Sequence, residues 1–343
     1  MAMDTHTLLK VIELPGSPLI KFDIAWVDGA ARRFYVADRS NARVSMVDTD
    51  DEVYVGALGE GIFTGAAETG ATSGPNGVAV LPDLNQLWAG DGDSTVKVFD
   101  LNTSALVASI NTGGAKRVDE LAYDSVDGLV LVANDKETPP FACLISTNPD
   151  HRIVGRIEFD RATNGLHQPV WDPEGGVFYL PVSEVGGDPA AGEIAVIDPR
   201  TRSVVASHSV RECQPSGLAL GPNRSLCIGC SKNAIAAGFD PKSLIMDMRT
   251  GTVTHTLDQV GGSDEVWYNQ GDGCYYVAAS GMTGGPVIGV IDATKRDWVT
   301  NISSGPDSHS VAVDPKTNHV FVALAARSDL PRGGIGVYGQ KKS

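Results

Sequence analysis

The chain has 343 residues, 42% of them hydrophobic, and 27 basic against 42 acidic residues give it a formal net charge of -15. Its 39 glycines and 19 prolines are spread along the whole length, so no linker divides it, and one large repeat fold accounts for it better than several small domains. The negative field repels phosphate backbones and anionic lipid, which excludes nucleic acid and membrane surfaces as expected partners, and no apolar run approaches the roughly 18 residues of a membrane span.

The start of the chain has no basic segment followed by an apolar one, so no secretory signal is read there, and a cytoplasmic location is expected. The first β-type run, residues 7–14, stands alone. From residue 23 a four-part unit begins: a short apolar run (23–26), a second run ending in Asp38 (33–38) and a third ending in Asp48 (43–48). The next copy is complete, with runs at 77–83, 86–91, 95–100 and 105–110, each separated by a turn of Asp, Asn, Gly or Pro. Later copies open at 121–124, 170–173, 218–220, 266–268 and 311–315. A period of roughly 40–50 residues is that of propeller blades, and no stretch sustains a helical apolar period.

The expected fold is therefore all-β, a seven-bladed β-propeller forming a single domain over residues 1–343. The last copy, residues 308–339, lacks a fourth strand, and the orphan run 7–14 is expected to supply it, closing the ring and removing exposed edges. The segments FYVADRSNAR (34–43) and SVAVDPKTNHVFVA (310–323) resemble NHL and YVTN repeats. Proteins of that general type include lactonases, gluconolactonase-like hydrolases, virginiamycin B lyase and plain binding scaffolds, so the resemblance implies the fold and leaves the activity open. Gluconolactonase-like enzymes bring a Glu from the first inner strand together with Asn and Asp ligands. Asp23, Asn76 and Asp264 match that pattern only loosely, and the histidines below are additional.

In such a ring the residue just before each inner strand lies at one mouth of the channel. Aligned on the apolar runs, that position reads Phe22, Asn76, Asp119, His167, Ser216, Asp264 and His309, and the next reads Asp23, Gly77, Glu120, Gln168, Gly217, Glu265 and Ser310. Polar turn residues explain Asn76 and Ser216 through local hydrogen bonds. They do not explain two histidines at one structural position, nor glutamates following two aspartates.

Asp119 with His167, and Asp264 with His309, are read as two acid–base pairs facing each other across the channel, the expected catalytic residues. Glu120 and Glu265, with the two histidines, are the expected ligands of a divalent metal ion (Ca, Mg or Zn); no organic cofactor is indicated. Phe22, Asp23, Arg39, Asn76 and Lys232 are the expected substrate contacts, with Lys136 and Arg327 in neighbouring loops also placed to hold an acidic group. Long irregular loops at 134–140, 183–189, 231–238, 280–286 and 326–333 belong to the same face, as a binding site on a rigid scaffold requires.

The expected function is an enzyme acting on a small organic molecule by His/carboxylate chemistry, as a lyase, isomerase or lactonase-like hydrolase. The alternative is a non-catalytic propeller that binds a ligand or a protein partner. Five cysteines at irregular spacing are not a disulfide framework, and Cys227 and Cys230, in one strand-like run, are expected to be buried thiols on opposite faces. No GxSxG, P-loop or HExxH motif is present, and the oligomeric state is not indicated.

Overall fold

The computed structural model describes residues 6–340 of the chain. It contains seven four-stranded antiparallel sheets. Their inner strands are Ala25–Asp28, Val78–Leu81, Leu121–Asp124, Val170–Asp172, Pro215–Gly221, Val266–Asn269 and Ala312–Val313. Each inner strand contacts the next around the channel, and the last returns to the first. Taken in chain order, these are blades one to seven of a β-propeller. No helix among the described residues is long and apolar enough to cross a membrane.

Burial follows position within the blade. The third strand of blade three, Phe141–Ser146, is buried along its whole length between two neighbouring blades, and its sequence is correspondingly a nearly unbroken apolar run. The outer strand of the same blade, Ile153–Glu158, has only one buried residue, Ile157. Seven apolar clusters fill the gaps between successive blades.

Much of the chain's acidity is spent on turns. Asp28, Asp124, Asp172 and Asp314 end inner strands and accept backbone N–H groups two or three residues on. Asp48, Asp100, Asp198, Asp247 and Asp292 do the same between third and fourth strands.

The ring closes as the repeat count requires. Thr7–Ile12 pairs with Gly334–Gly339, so the N-terminal strand is the outermost strand of blade seven. A second clasp lies at the turns. Arg32 of blade one forms a doubly hydrogen-bonded ion pair with the buried Asp314 of blade seven, and also reaches Asp50 at 2.9 Å. Burial pushes the Asp314 carboxyl up. The Arg32 hydrogen bonds, the Lys316 N–H and the Thr317 hydroxyl outweigh it and hold the group below its ordinary value.

Asp314→Ala, which leaves Arg32 only the more exposed Asp50 as partner, is expected to cost about 2–3 kcal/mol in urea unfolding at neutral pH. Because the folded-state value is depressed, the contribution is complete at neutral pH. The gap between variant and wild type should shrink as the pH falls below about 4.

Cys230 forms a disulfide with Cys213, which corrects the expectation of a buried thiol; Cys227 is buried and free. The reason is the register of blade five. Pro215 pairs with Cys230 across the first hairpin, which puts Cys213 at the mouth end of the same two strands. The bond closes a loop with a sequence separation of 17. Cys213→Ser is therefore expected to lower stability by about 3 kcal/mol, read as a drop in urea midpoint that a reducing agent reproduces in the wild type.

Candidate functional site at the channel mouth

The residues before the inner strands converge at one end of the channel, held by backbone contacts between blades. Gly77 N–H donates to Asp119 O at 3.1 Å, and Glu265 N–H to His309 O at 3.1 Å. Gly77 and Gly217 take the place that Glu120, Gln168 and Glu265 occupy in other blades. A Cβ on Gly77 would lie 2.3 Å from Asp119 O, and one on Gly217 2.2 Å from Asp264 O. These two glycines let the acidic segments of blades three and six pack against blades two and five.

The structure gives both histidines partners other than those expected. His309 meets Asp23, with Nε2 at 3.2 Å from Oδ1, while Nδ1 lies 2.6 Å from the Asp307 carbonyl. Both contacts are to acceptors, an arrangement that favours the ring protonated on both nitrogens. Phe22 stacks on it, centroids 5.1 Å apart and 9° from parallel. Burial works against the His309 charge, but the Asp23 hydrogen bond and the charges of Asp23 and Asp264 prevail and raise its pKa. Asp23 is buried as well, yet Arg39, His309 and Arg117 hold it ionised, with a pKa of about 2. Arg39 ties Asp23 to Asn76, donating to the side chains of both.

Asp119 does not pair with His167. It accepts a hydrogen bond from Arg117 at 2.6 Å, and Arg117 also holds the buried Asp135 at 2.9 Å. Lys136 lies 2.8 Å from the same Asp135 carboxylate. Burial disfavours the Arg117 charge, and Asp119 and Asp135 more than restore it. Arg117 and Asp135 were not singled out from sequence. The available signals were a basic residue two places before a mouth position and an acid at the base of loop 134–140.

Glu265 is not placed as a ligand beside His309. Its carboxyl accepts from Ser310 Oγ at 2.7 Å, Val311 N–H at 2.9 Å and Ala25 N–H at 3.5 Å, knitting blade six to blades seven and one. Burial raises its pKa to about 8 against those bonds. Lys232 is exposed on the short helix Lys232–Ala236, and among the described residues it has no ion pair or hydrogen bond to the mouth residues. Arg327 pairs with Asp329 at 2.7 Å.

Three of the expected residues come together in a different set. Glu120, His167 and Asp264, from blades three, four and six, bring one donor atom each within 4.8 Å of one another. Glu120 is buried; the other two are partly exposed to the channel. Burial lowers the His167 pKa, with Asp264 opposing, so the imidazole is neutral at neutral pH. Burial together with Asp119, Asp264 and Glu265 raises that of Glu120 well above the ordinary range. Among the described residues none of these three side chains makes a hydrogen bond, whereas Asp23, Asp119, Asp135, Glu265 and His309 are all engaged.

Seven antiparallel four-stranded blades, closed by the N-terminal strand around this polar mouth, define a seven-bladed β-propeller. No protein-family model and no curated protein sequence matches the chain. It is similar in structure to a chain of the Kuenenia stuttgartiensis hydrazine synthase, with a TM-score of 0.73 and 14% identity over 99% of this chain and 100% of that one. It is also similar to a chain of a mitotic checkpoint complex, with a TM-score of 0.72 and 13% identity over 98% of this chain and 95% of that one. At such identities the likeness is one of fold.

Proposed function

We propose that the channel mouth is the metal-assisted active site of an enzyme acting on a small organic molecule, with Glu120, His167 and Asp264 as the metal ligands. The observation that carries this is the set of three converging donors without hydrogen-bond partners, inside a cluster where every neighbouring charge has one. Donor atoms gathered at one point, open to the channel and free of protein partners, suit a cation that all of them ligate. One imidazole and two carboxylates suit Zn²⁺ or Mn²⁺ better than Ca²⁺ or Mg²⁺, which take oxygen ligands. Bound there, such an ion would supply Lewis acidity toward a substrate oxygen or a water molecule.

The protein's own groups do the rest. His309 holds a proton between its Nε2 and Asp23, and Phe22 and the Asp307 carbonyl fix the ring. That proton is available to a leaving oxygen or a developing enolate, with Asp23 stabilising the imidazolium beforehand. Arg39, Arg117 and Lys136 hold Asp23 and Asp135 ionised and orient the wall. A polarised oxygen beside a proton donor serves a lyase, an isomerase or a lactonase-like hydrolase alike. The YVTN- and NHL-like repeats are consistent with that range. The Cys213–Cys230 bond supports an oxidising compartment, where such bonds persist, over the cytoplasm expected from the start of the chain.

Calorimetric titration of chelator-treated protein tests the reading. Zn²⁺ or Mn²⁺ is expected to bind one site per chain, with Ca²⁺ and Mg²⁺ weaker. Absence of any saturable site for the four ions would remove the metal from the account.

A further inference from the structure

Beneath the mouth, the inner strands enclose a cavity of about 840 Å³. Glu120, Gln168 and Glu265 line its inner end, where the inner strands begin. Pro82, Asp83, Ser125, Pro173 and Gln270 line the other end, in the turns where those strands finish, so the cavity opens on the face opposite the proposed active site. The proposed function uses only Glu120 of its lining.

Five aromatic rings stand in its walls. Trp26 and Trp267 meet edge to face, centroids 5.4 Å apart at 86°. Trp171 packs on the buried Phe178 at 4.7 Å, and Tyr268 on the buried Tyr275 at 5.3 Å. The Tyr123 hydroxyl donates to Asp83 at 2.7 Å, fixing a fifth ring at the rim. All five rings line the cavity and are partly exposed. Trp171 Nε1 is buried and has no hydrogen-bond partner among the described residues.

The polar lining is one-sided. Asp83, Glu120 and Glu265 contribute carboxyl groups, and no Lys, Arg or His lines the cavity. An anion placed here would lose its water and find no cation. A neutral apolar molecule would gain burial but less from the ring quadrupoles than a cation does. A positive charge gains from the negative faces of the rings, from Asp83 at the rim and from the field of a chain with net charge -15.

We propose that this cavity is a second binding site, for an organic cation with an apolar body: an aromatic or branched amine, or a quaternary ammonium compound. The volume is that of pockets holding ligands of such size. The site shares only Glu120 with the metal cluster, and the charge is recognised among the rings, so the proposal does not depend on a metal being bound.

The test is calorimetry on chelator-treated full-length protein with three probes of similar body and different charge: benzyltrimethylammonium, benzyl alcohol and phenylacetate. The cation is expected to bind one site per chain, about tenfold or more tighter than either control, and to quench tryptophan fluorescence. Trp267→Leu should weaken it about tenfold while Trp267→Phe, which keeps a ring face, stays within about threefold of wild type. Circular dichroism establishes that both variants fold, and the comparison among probes needs no variant. Phenylacetate binding as tightly as the cation, no saturable binding of the cation, or a folded Trp267→Leu with undiminished affinity would each overturn the proposal. Because no metal is present, none of these results bears on the metal reading.

Discussion

A chain lacking residues 1–14 is expected to lose its stable fold. The strand Thr7–Ile12 satisfies the free edge of Gly334–Gly339 through an antiparallel register that runs from Thr7 opposite Gly339 to Ile12 opposite Ile335. Ile12 and Leu14 are buried in the cluster that joins blades seven and one, together with Phe34, Phe321, Ile335 and Val337. Burying those two side chains alone is worth on the order of 3–6 kcal/mol. A domain's whole margin is about 5–15 kcal/mol.

The truncation also exposes the edge backbone and apolar side chains of Gly334–Gly339, which is a template for aggregation. The expected outcome is insoluble protein, or a soluble product whose urea midpoint falls by more than half. A truncated chain that melts within a few degrees of the full one would show that the N-terminal strand is an ornament of blade seven rather than its closure.

The second large effect separates the two histidines, which the sequence places in equivalent positions. His167→Ala removes one of the three proposed ligands and should weaken metal binding by more than about 100-fold, beyond the upper end of what losing an outer-shell partner costs. Glu120→Gln should do the same, since the amide keeps the volume but not the charge. His309→Ala should leave the metal affinity within a few-fold of wild type, because His309 is committed to Asp23 and the Asp307 carbonyl. Once a substrate is in hand, the same variant should lower turnover by about 10²–10⁴-fold, the range of a lost general acid. Lys232→Ala, exposed on its short helix, is the control expected to change neither. Equal metal loss in the His167 and His309 variants would restore the symmetric roles expected from the repeats and contradict the unequal ones described above.

The fold was legible because a propeller writes itself out once per blade. Asp, Asn, Gly and Pro punctuate each short apolar run, and the odd run at 7–14 could only be the missing strand of an incomplete blade. The mouth positions were legible for the same reason, since the residue before each inner strand is fixed by topology. The pairing across the mouth was not. Which acid meets which imidazole depends on side-chain directions between blades that are not neighbours in sequence, so His309 found Asp23 of blade one and His167 found Glu120 and Asp264.

Glu265 misled because a carboxylate aimed at backbone N–H groups and one aimed at a cation look alike in sequence. Arg117 and Asp135, which set the charge balance of the wall, lay just outside the aligned column. The disulfide was hidden by the Cys227–Cys230 spacing, although the hairpin register that places Cys213 beside Cys230 follows from pairing the first two strands of blade five. The aromatic cavity left a readable trace: Trp26, Tyr123, Trp171, Trp267 and Tyr268 all fall within inner strands that elsewhere carry small aliphatic residues.

The most direct test of the central claim is anomalous X-ray scattering from crystals grown with Zn²⁺, recorded on either side of the zinc edge. The predicted result is one peak per chain, bounded by Glu120, His167 and Asp264, with the His309–Asp23 contact intact beside it. A mouth without a peak, or zinc held instead by His309 and Glu265, would contradict the account.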